Sequence, residues 1–326
     1  MRQRGEKPRV IRNEMVSLNG VEQFIAIRAD RPNLPLLLYL HGGPGDRAYL
    51  RTSGDAALPL VLKYNRALEQ DFTLVVWEQR GAGKSYYPFG AEEKVEIDTF
   101  LQDARALVEL LLARFQREKL FLVGHSWGSV LGLLFCQQFP QFVHTYVGCG
   151  QVVNLKKSSE LAYRFAVEHA VGRAAKRLAR IDCAYRGETW LSDLLFVTKQ
   201  VVKHKGSLYG ASNYHQFVLD FLFSKEYGWK DLFNREKGAL QSIRRLWPEL
   251  MEVSFEGTTS FAVPIVLIEG TYDFHVSSQL AKGYFDTITS EKAFYFFEHS
   301  CHFPQWSEAD RFHSILKKLG GNGETV

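Results

Sequence analysis

Short, continuous apolar runs punctuate this 326-residue chain, and the first three are followed within a few residues by glycine. Leu34-Pro35-Leu36-Leu37-Leu38-Tyr39-Leu40 leads into His41-Gly42-Gly43-Pro44-Gly45. Phe72-Thr73-Leu74-Val75-Val76-Trp77 leads into Gln79-Arg80-Gly81-Ala82-Gly83. Leu120-Phe121-Leu122-Val123 leads into Gly124-His125-Ser126-Trp127-Gly128. Runs of this length without polar alternation suit strands buried on both faces of a parallel sheet. Residues 10–29 read instead as two strands joined at Asn19-Gly20, a dipeptide that favours tight hairpins.

Between the runs the period changes. Leu101, Ala104, Leu107, Val108, Leu111 and Leu112 recur at helical spacing within a helix expected over 95–116. Further helices are expected over 58–70 and from Ser126 to about Gln138. A fourth strand is expected at Thr145-Tyr146-Val147-Gly148. The alternation lapses over 151–260, which reads as helices rich in aromatics such as Trp190, Phe217, Phe221, Trp229 and Trp247. It resumes with strands at 264–268 and 293–297 and helices near 277–286 and 306–319. Alternating strands and helices predict an α/β class, with a mainly parallel twisted sheet flanked by helices. The expected division is a core of residues 1–150 and 261–326 with a helical cap, or lid, inserted at 151–260.

Composition narrows the class. Hydrophobic residues make up 46% and charged residues 23%, which fits a large globular core. A net charge of +4 is too small to indicate nucleic-acid binding by itself. The four cysteines, Cys136, Cys149, Cys183 and Cys301, form no CxxC pair, which favours free thiols over a disulfide framework or a zinc site. No apolar run approaches the roughly 20 residues of a membrane helix, and the polar, basic first ten residues carry no secretory signal. The expectation is a cytoplasmic protein with no cofactor, metal, membrane or nucleic-acid partner, acting on a small molecule or short peptide. The chain is compatible with a homo-oligomer.

The chemistry sits in the glycine segments. Gly124-His125-Ser126-Trp127-Gly128 fits the G-x-S-x-G elbow, here following a buried strand and opening a helix, as that motif requires. A serine hydroxyl needs a base, and in this arrangement the order along the chain is serine, acid, histidine. Asp273 follows the strand at 264–268. His302 and His299 both follow the last strand, and the longer loop favours His302. His275 lies only two residues past Asp273 and is poorly placed to reach Ser126. Asp98, Asp103 and Glu269 fit the order less well than Asp273. The oxyanion of an acyl-transfer intermediate needs two donors: the N–H of Trp127 and one from the His41–Gly45 loop, with Gly43 preferred and Gly42 the alternative.

The HGGPG segment at 41–45, Gln79-Arg80-Gly81-Ala82-Gly83-Lys84-Ser85 and the GHSWGS segment at 124–129 together resemble the proline iminopeptidase family of α/β-hydrolases. The resemblance covers roughly 10–150 and 260–318. It implies an α/β-hydrolase fold, a helical cap, no cofactor, and a triad of Ser126, Asp273 and His302. It departs at Glu78, where the family usually has Asp, and at Asp46 and Arg47 after HGGPG. In iminopeptidases, acidic cap residues hold the substrate's free amine. Glu226 and Glu249 are acids near aromatics in this cap, with solvated helix charges the plainer reading. The expected function is a serine hydrolase acting through an acyl-enzyme, with an iminopeptidase-like aminopeptidase first. A carboxylesterase or lactonase comes second, and a lyase or a non-catalytic binding protein on the same fold are rivals.

Overall fold

A computed structural model describes residues 9–43 and 58–321. The chain opens with an antiparallel hairpin, β1 (Val10–Leu18) and β2 (Val21–Ala29). Asn19 and Gly20 both take positive φ, 47° and 82°, the backbone a two-residue turn with the right twist needs. The sheet continues through β3 (Leu36–Leu40), β4 (Thr73–Glu78), β5 (Leu120–His125), β6 (Val143–Cys149), β7 (Ile265–Gly270) and β8 (Lys292–Phe297). Its eight strands run β1-β2-β4-β3-β5-β6-β7-β8, antiparallel in the first two pairings and parallel in the rest.

The continuous apolar runs have the expected cause. In β3, Leu36, Leu38 and Leu40 join one core cluster and Leu37 and Tyr39 the other, on the opposite face. Val75 and Trp77 of β4, and Leu120 and Leu122 of β5, repeat the division against Leu74 and Val76, and Phe121 and Val123. Alternation of side chains along a strand therefore demands apolar residues at every position when both faces are covered.

Among the helices of the sheet layers, α1 (Leu58–Tyr64) packs on the second face. α2 (Ile97–Phe115) and α3 (Trp127–Gln138) pack on the first. The expected 58–70 helix divides: α1 ends at Tyr64, and a 3₁₀ turn covers Arg66–Gln70. Buried Asn65 lies between them and donates to the Gln305 carbonyl at 2.7 Å.

Five helices lie between β6 and β7: α4 (Leu155–His169), α5 (Arg173–Leu178), α6 (Trp190–Lys203), α7 (His215–Leu222) and α8 (Trp229–Glu252). Phe165, Leu178, Val197, Val201, Ile243 and Trp247 give four of them a core of their own. α8 also touches the sheet layers closely. A Cβ at Gly238 would meet the Gly81 carbonyl at 2.1 Å, and Glu249 accepts from the Ile97 N–H at 3.0 Å.

The chain closes with α9 (Ser278–Thr287), β8, α10 (Pro304–Ser307) and α11 (Ala309–Gly321). The single helix expected over 306–319 is interrupted at Glu308, which has φ −124° and ψ 53°. Its side chain accepts from the His299 N–H at 2.9 Å and the Ser300 hydroxyl at 3.0 Å, tying the break to the loop after β8.

Candidate active site

Ser126 occupies the joint between β5 and α3 with φ 53° and ψ −118°. This is rare backbone for a residue with a side chain, and holding it costs on the order of 1–3 kcal/mol. Packing enforces it. A Cβ at Gly124 would lie 2.5 Å from the Gly128 carbonyl oxygen, and one at Gly128 would lie 2.1 Å from the Leu40 carbonyl oxygen. The two glycines of the elbow are thus what lets α3 leave the sheet edge so sharply. The Ser126 N–H donates to the Cys149 carbonyl at 3.1 Å, fixing the turn to β6.

Asp273 follows β7 and His302 follows β8, and their side chains meet at 2.8 Å through His302 Nδ1 and Asp273 Oδ2. Both side chains are almost wholly removed from solvent. The other carboxylate oxygen accepts from the main-chain N–H groups of His275 at 2.8 Å and Val276 at 2.9 Å. Burial pushes the Asp273 carboxyl up to about 7, against the electrostatic pull of the nearby His275 ring and these two N–H donors, which favour the ionised form. Burial also drives the His302 imidazole down, so it rests neutral. The main chain of His302 is pinned on both sides: its N–H donates to the Ser207 carbonyl at 3.1 Å, and its carbonyl lies 2.9 Å from His125 Nε2.

Ser126 and His302 line one cavity of about 140 Å³, together with Gly42, Gly43 and Trp127. Gly43 has φ 125°, a conformation that favours glycine. A Cβ at Gly42 would lie 3.2 Å from Ser126 Cβ, so the loop passes directly beside the elbow. Pro44, Gly45, Asp46 and Arg47 lie outside the described residues.

Residues 64–305, about three quarters of the chain, match the family described as serine aminopeptidase, S33. The chain belongs to this α/β-hydrolase family. It is 32% identical to a probable aminopeptidase, YbaC, of Bacillus subtilis over 321 residues, covering 96% of this chain and 97% of that protein. A proline iminopeptidase of Saccharolobus solfataricus is more distant, at 24% identity over 87% of this chain and 84% of its own. Among solved structures, the proline iminopeptidase of Mycobacterium smegmatis superposes with a TM-score of 0.66 at 17% identity. It covers 95% of this chain and 98% of the other. VinJ superposes with a TM-score of 0.65 at 16% identity and the same coverage. At such identities the likeness is one of fold.

The rejected sequence candidates have other partners. The His299 ring lies against Tyr209 at 5.5 Å. Asp103 is a buried ion-pair partner of Arg80, at 2.7 and 2.9 Å, and also accepts from Gln23 and Asn19. Glu269 is buried at the end of β7 and accepts from the Gln151 N–H at 2.8 Å. Glu226 pairs with Arg28 at 3.4 Å, and Glu249 bonds to α2, as above; neither lines the cavity. Among the described residues, no group of three or more His, Cys, Asp or Glu could hold a metal ion. No helix there is long and apolar enough to cross a membrane.

Two features escaped the sequence reading. His275 is a cavity wall, its ring 4.4 Å from that of His302 at 32°, while its main chain serves Asp273. Gln79 ties the glycine loop to the elbow. Its amide nitrogen donates to the His41 carbonyl at 3.1 Å, its main-chain N–H donates to His41 Nε2 at 3.1 Å, and its Oε1 accepts from Trp127 Nε1 at 2.8 Å. The Gln-Arg-Gly segment containing Gln79 was visible as a motif, but its partners depend on strand order.

Proposed function

We propose that the protein is a serine hydrolase that cleaves an amide or ester bond through an acyl-enzyme on Ser126. In this reading His302 Nε2 takes the Ser126 proton as Oγ attacks the carbonyl carbon, because Nδ1 is engaged by Asp273. The N–H groups of Trp127 and Gly43 receive the oxyanion. His302 then passes the proton to the leaving amine or alcohol as the scissile bond breaks. Water, deprotonated by the same ring, attacks the acyl-enzyme, and Ser126 leaves with the proton as the acid is released. Asp273 orients His302 and stabilises the imidazolium while it exists. No metal or cofactor enters this sequence, and segment 151–260 acts as the cap over a small or short-peptide substrate.

The observation that carries the reading is the strained Ser126 sharing a cavity with a His302 already bonded to a buried Asp273. The names of the relatives favour an aminopeptidase, with an iminopeptidase-like preference for amino-terminal proline as the specific form. A panel of aminoacyl arylamides, prolyl included, run beside short acyl esters on wild type and Ser126→Ala tests it. Arylamide turnover lost in Ser126→Ala supports the peptidase. Ester turnover alone removes the peptidase and leaves a carboxylesterase or lactonase. Turnover that survives Ser126→Ala refutes the mechanism.

A further inference from the structure

β6 and β7 stop pairing at Cys149 and Ile268, just short of the site. Gly150 then takes φ 54°, a left-handed conformation that turns the chain out of the ladder. The turn sets Gly150 directly against the His302 imidazole. A Cβ there would lie 3.0 Å from His302 Nδ1 and 3.1 Å from Cε1. The main chain at Gly150 is thus a backstop for the ring edge that bonds to Asp273.

Leaving the ladder exposes a donor that has no water to turn to. Gln151 is fully buried, and its N–H donates to Glu269 Oε1 at 2.8 Å. Left unpaired, such a group would carry the full cost of its lost hydration. The Gln151 side chain reaches the other way, toward the elbow. Its Nε2 donates to the Ser129 carbonyl at 3.2 Å and the Val152 carbonyl at 2.8 Å, and its Oε1 accepts from the Tyr146 hydroxyl at 2.7 Å. Ser129 Oγ accepts from the Val152 N–H at 3.0 Å and donates to the Ser126 carbonyl at 2.5 Å. One three-residue turn therefore touches the ring of His302 at one end and is clamped to the main chain of Ser126 at the other.

Glu269 makes the short bond that ties this turn to β7; the Gly150 N–H reaches the Ile268 carbonyl only at 3.4 Å. The Glu269 side chain is wholly buried, and its Oε2 has no hydrogen-bond partner among the described residues. Burial pushes the carboxyl well above its ordinary range; the Gln151 N–H opposes this and the charge of Asp273 adds to it. Glu269 therefore rests as a neutral acid. What it supplies is an acceptor oxygen at a fixed place, and the negative charge of the site is left to Asp273.

We propose that Glu269 is a positioning residue: its carboxyl fixes the 150–152 turn, and the turn sets the reach between His302 and Ser126. The inference rests on that pair acting as base and nucleophile. Glu269 itself acts through Gln151 and touches no reacting atom.

Three variants test it by their reach to the Gln151 N–H. Glu269→Gln keeps an oxygen in place, Glu269→Asp draws it back by one methylene, and Glu269→Leu removes it. A ring displaced by up to about 1 Å should lose roughly tenfold in kcat in the Asp variant and roughly a hundredfold in the Leu variant. KM should stay within about threefold, and Glu269→Gln should keep kcat within about threefold of wild type. The ester or arylamide turned over best is the substrate, and melting checks each fold. A spectroscopic readout accompanies the kinetics: the low-field proton resonance of His302 Nδ1–H, assigned by its loss in His302→Gln. It should hold its position in Glu269→Gln and move or vanish in Glu269→Asp and Glu269→Leu. Wild-type kcat in the Asp and Leu variants, a loss in Glu269→Gln as large as in Glu269→Leu, or an unmoved resonance in both Asp and Leu variants overturns the proposal. If Glu269→Leu does not fold, the Asp and Gln pair decides. If a fluorophosphonate leaves Ser126 of the wild type unlabelled, the nucleophile reading fails, and the resonance still decides whether Glu269 sets the imidazole.

Discussion

Adding one methyl group at Gly128 should damage both the fold and the site, and the size of the effect follows from the geometry. A Cβ there would stand 2.1 Å from the Leu40 carbonyl oxygen and 2.7 Å from that of His41. Carbon–oxygen contacts settle near 3.3 Å or more, so the first overlap is about 1.2 Å. Neither partner is a side chain that can swing away. Leu40 is locked in the sheet opposite Trp77 on one side and Gly124 on the other. The start of α3 must therefore move by about 1 Å. Overpacking of this kind costs about 1–3 kcal/mol, and backbone against backbone belongs at the upper end. At that end the melting temperature should fall by roughly 4–5 °C. The shift also carries the Trp127 N–H and Ser126 with it, and a displacement of about 1 Å lowers turnover by roughly a hundredfold.

Gly283→Ala is the matched control. Gly283 is exposed within α9, and no atom lies within 4 Å of the added methyl. Helix propensity alone should raise its stability, by up to about 1 kcal/mol. Calorimetric melting and kcat/KM on the best ester or arylamide check both variants. A Gly128→Ala protein as stable and active as Gly283→Ala would refute the account of the elbow.

Three further predictions follow the same logic. Asp273→Asn should keep the fold but lower kcat by about 10⁴-fold, because an amide no longer selects the Nδ1–H tautomer of His302 or stabilises its charged form; steady-state kinetics with a melting control checks this. kcat/KM should rise with pH along an acid limb near 7, where the Asp273 carboxyl ionises beside neutral His302, and a profile flat from pH 5 to 9 would contradict it. Glu78 is buried and accepts from Tyr227 and from the Lys84 N–H, and burial raises its carboxyl to about 7 from an ordinary 4.5. The folded state thus holds that proton more tightly than the unfolded state. The contribution is full below about 4.5 and is lost as pH rises through 7, on the order of 3 kcal/mol. Glu78→Gln should remove this loss, so denaturant melts at pH 5 and 8 should differ less in the variant than in wild type.

The strand–helix rhythm and the elbow were legible because each is a local consequence of sequence. Leu36 to Leu40 are apolar at every position since both sheet faces are covered, and Gly124 and Gly128 flank a turn that a Cβ would block. The pairing of Asp273 with His302 was legible through chain order. The role of His275 was not, because two residues past Asp273 looked too close to matter. The turn after β7 instead folds back on the Asp273 carboxylate and lays the His275 ring on His302. Glu308 was read as part of a helix, although its side chain braces the histidine loop from nine residues away. The helical segment over 151–260 was least legible. Its helices are amphipathic toward one another as well as toward the cavity, so Val197 and Trp247 carry the same pattern whether they fill a core or face a substrate.

The central claim is that Ser126 is the activated nucleophile. Incubating the folded protein with a fluorophosphonate, followed by intact mass and peptide mapping, tests it most directly. The account predicts a single adduct on Ser126, no adduct in Ser126→Ala, and sharply slower labelling in Asp273→Asn. A folded wild-type protein that leaves Ser126 unlabelled, or that carries its adduct on another residue, would contradict it.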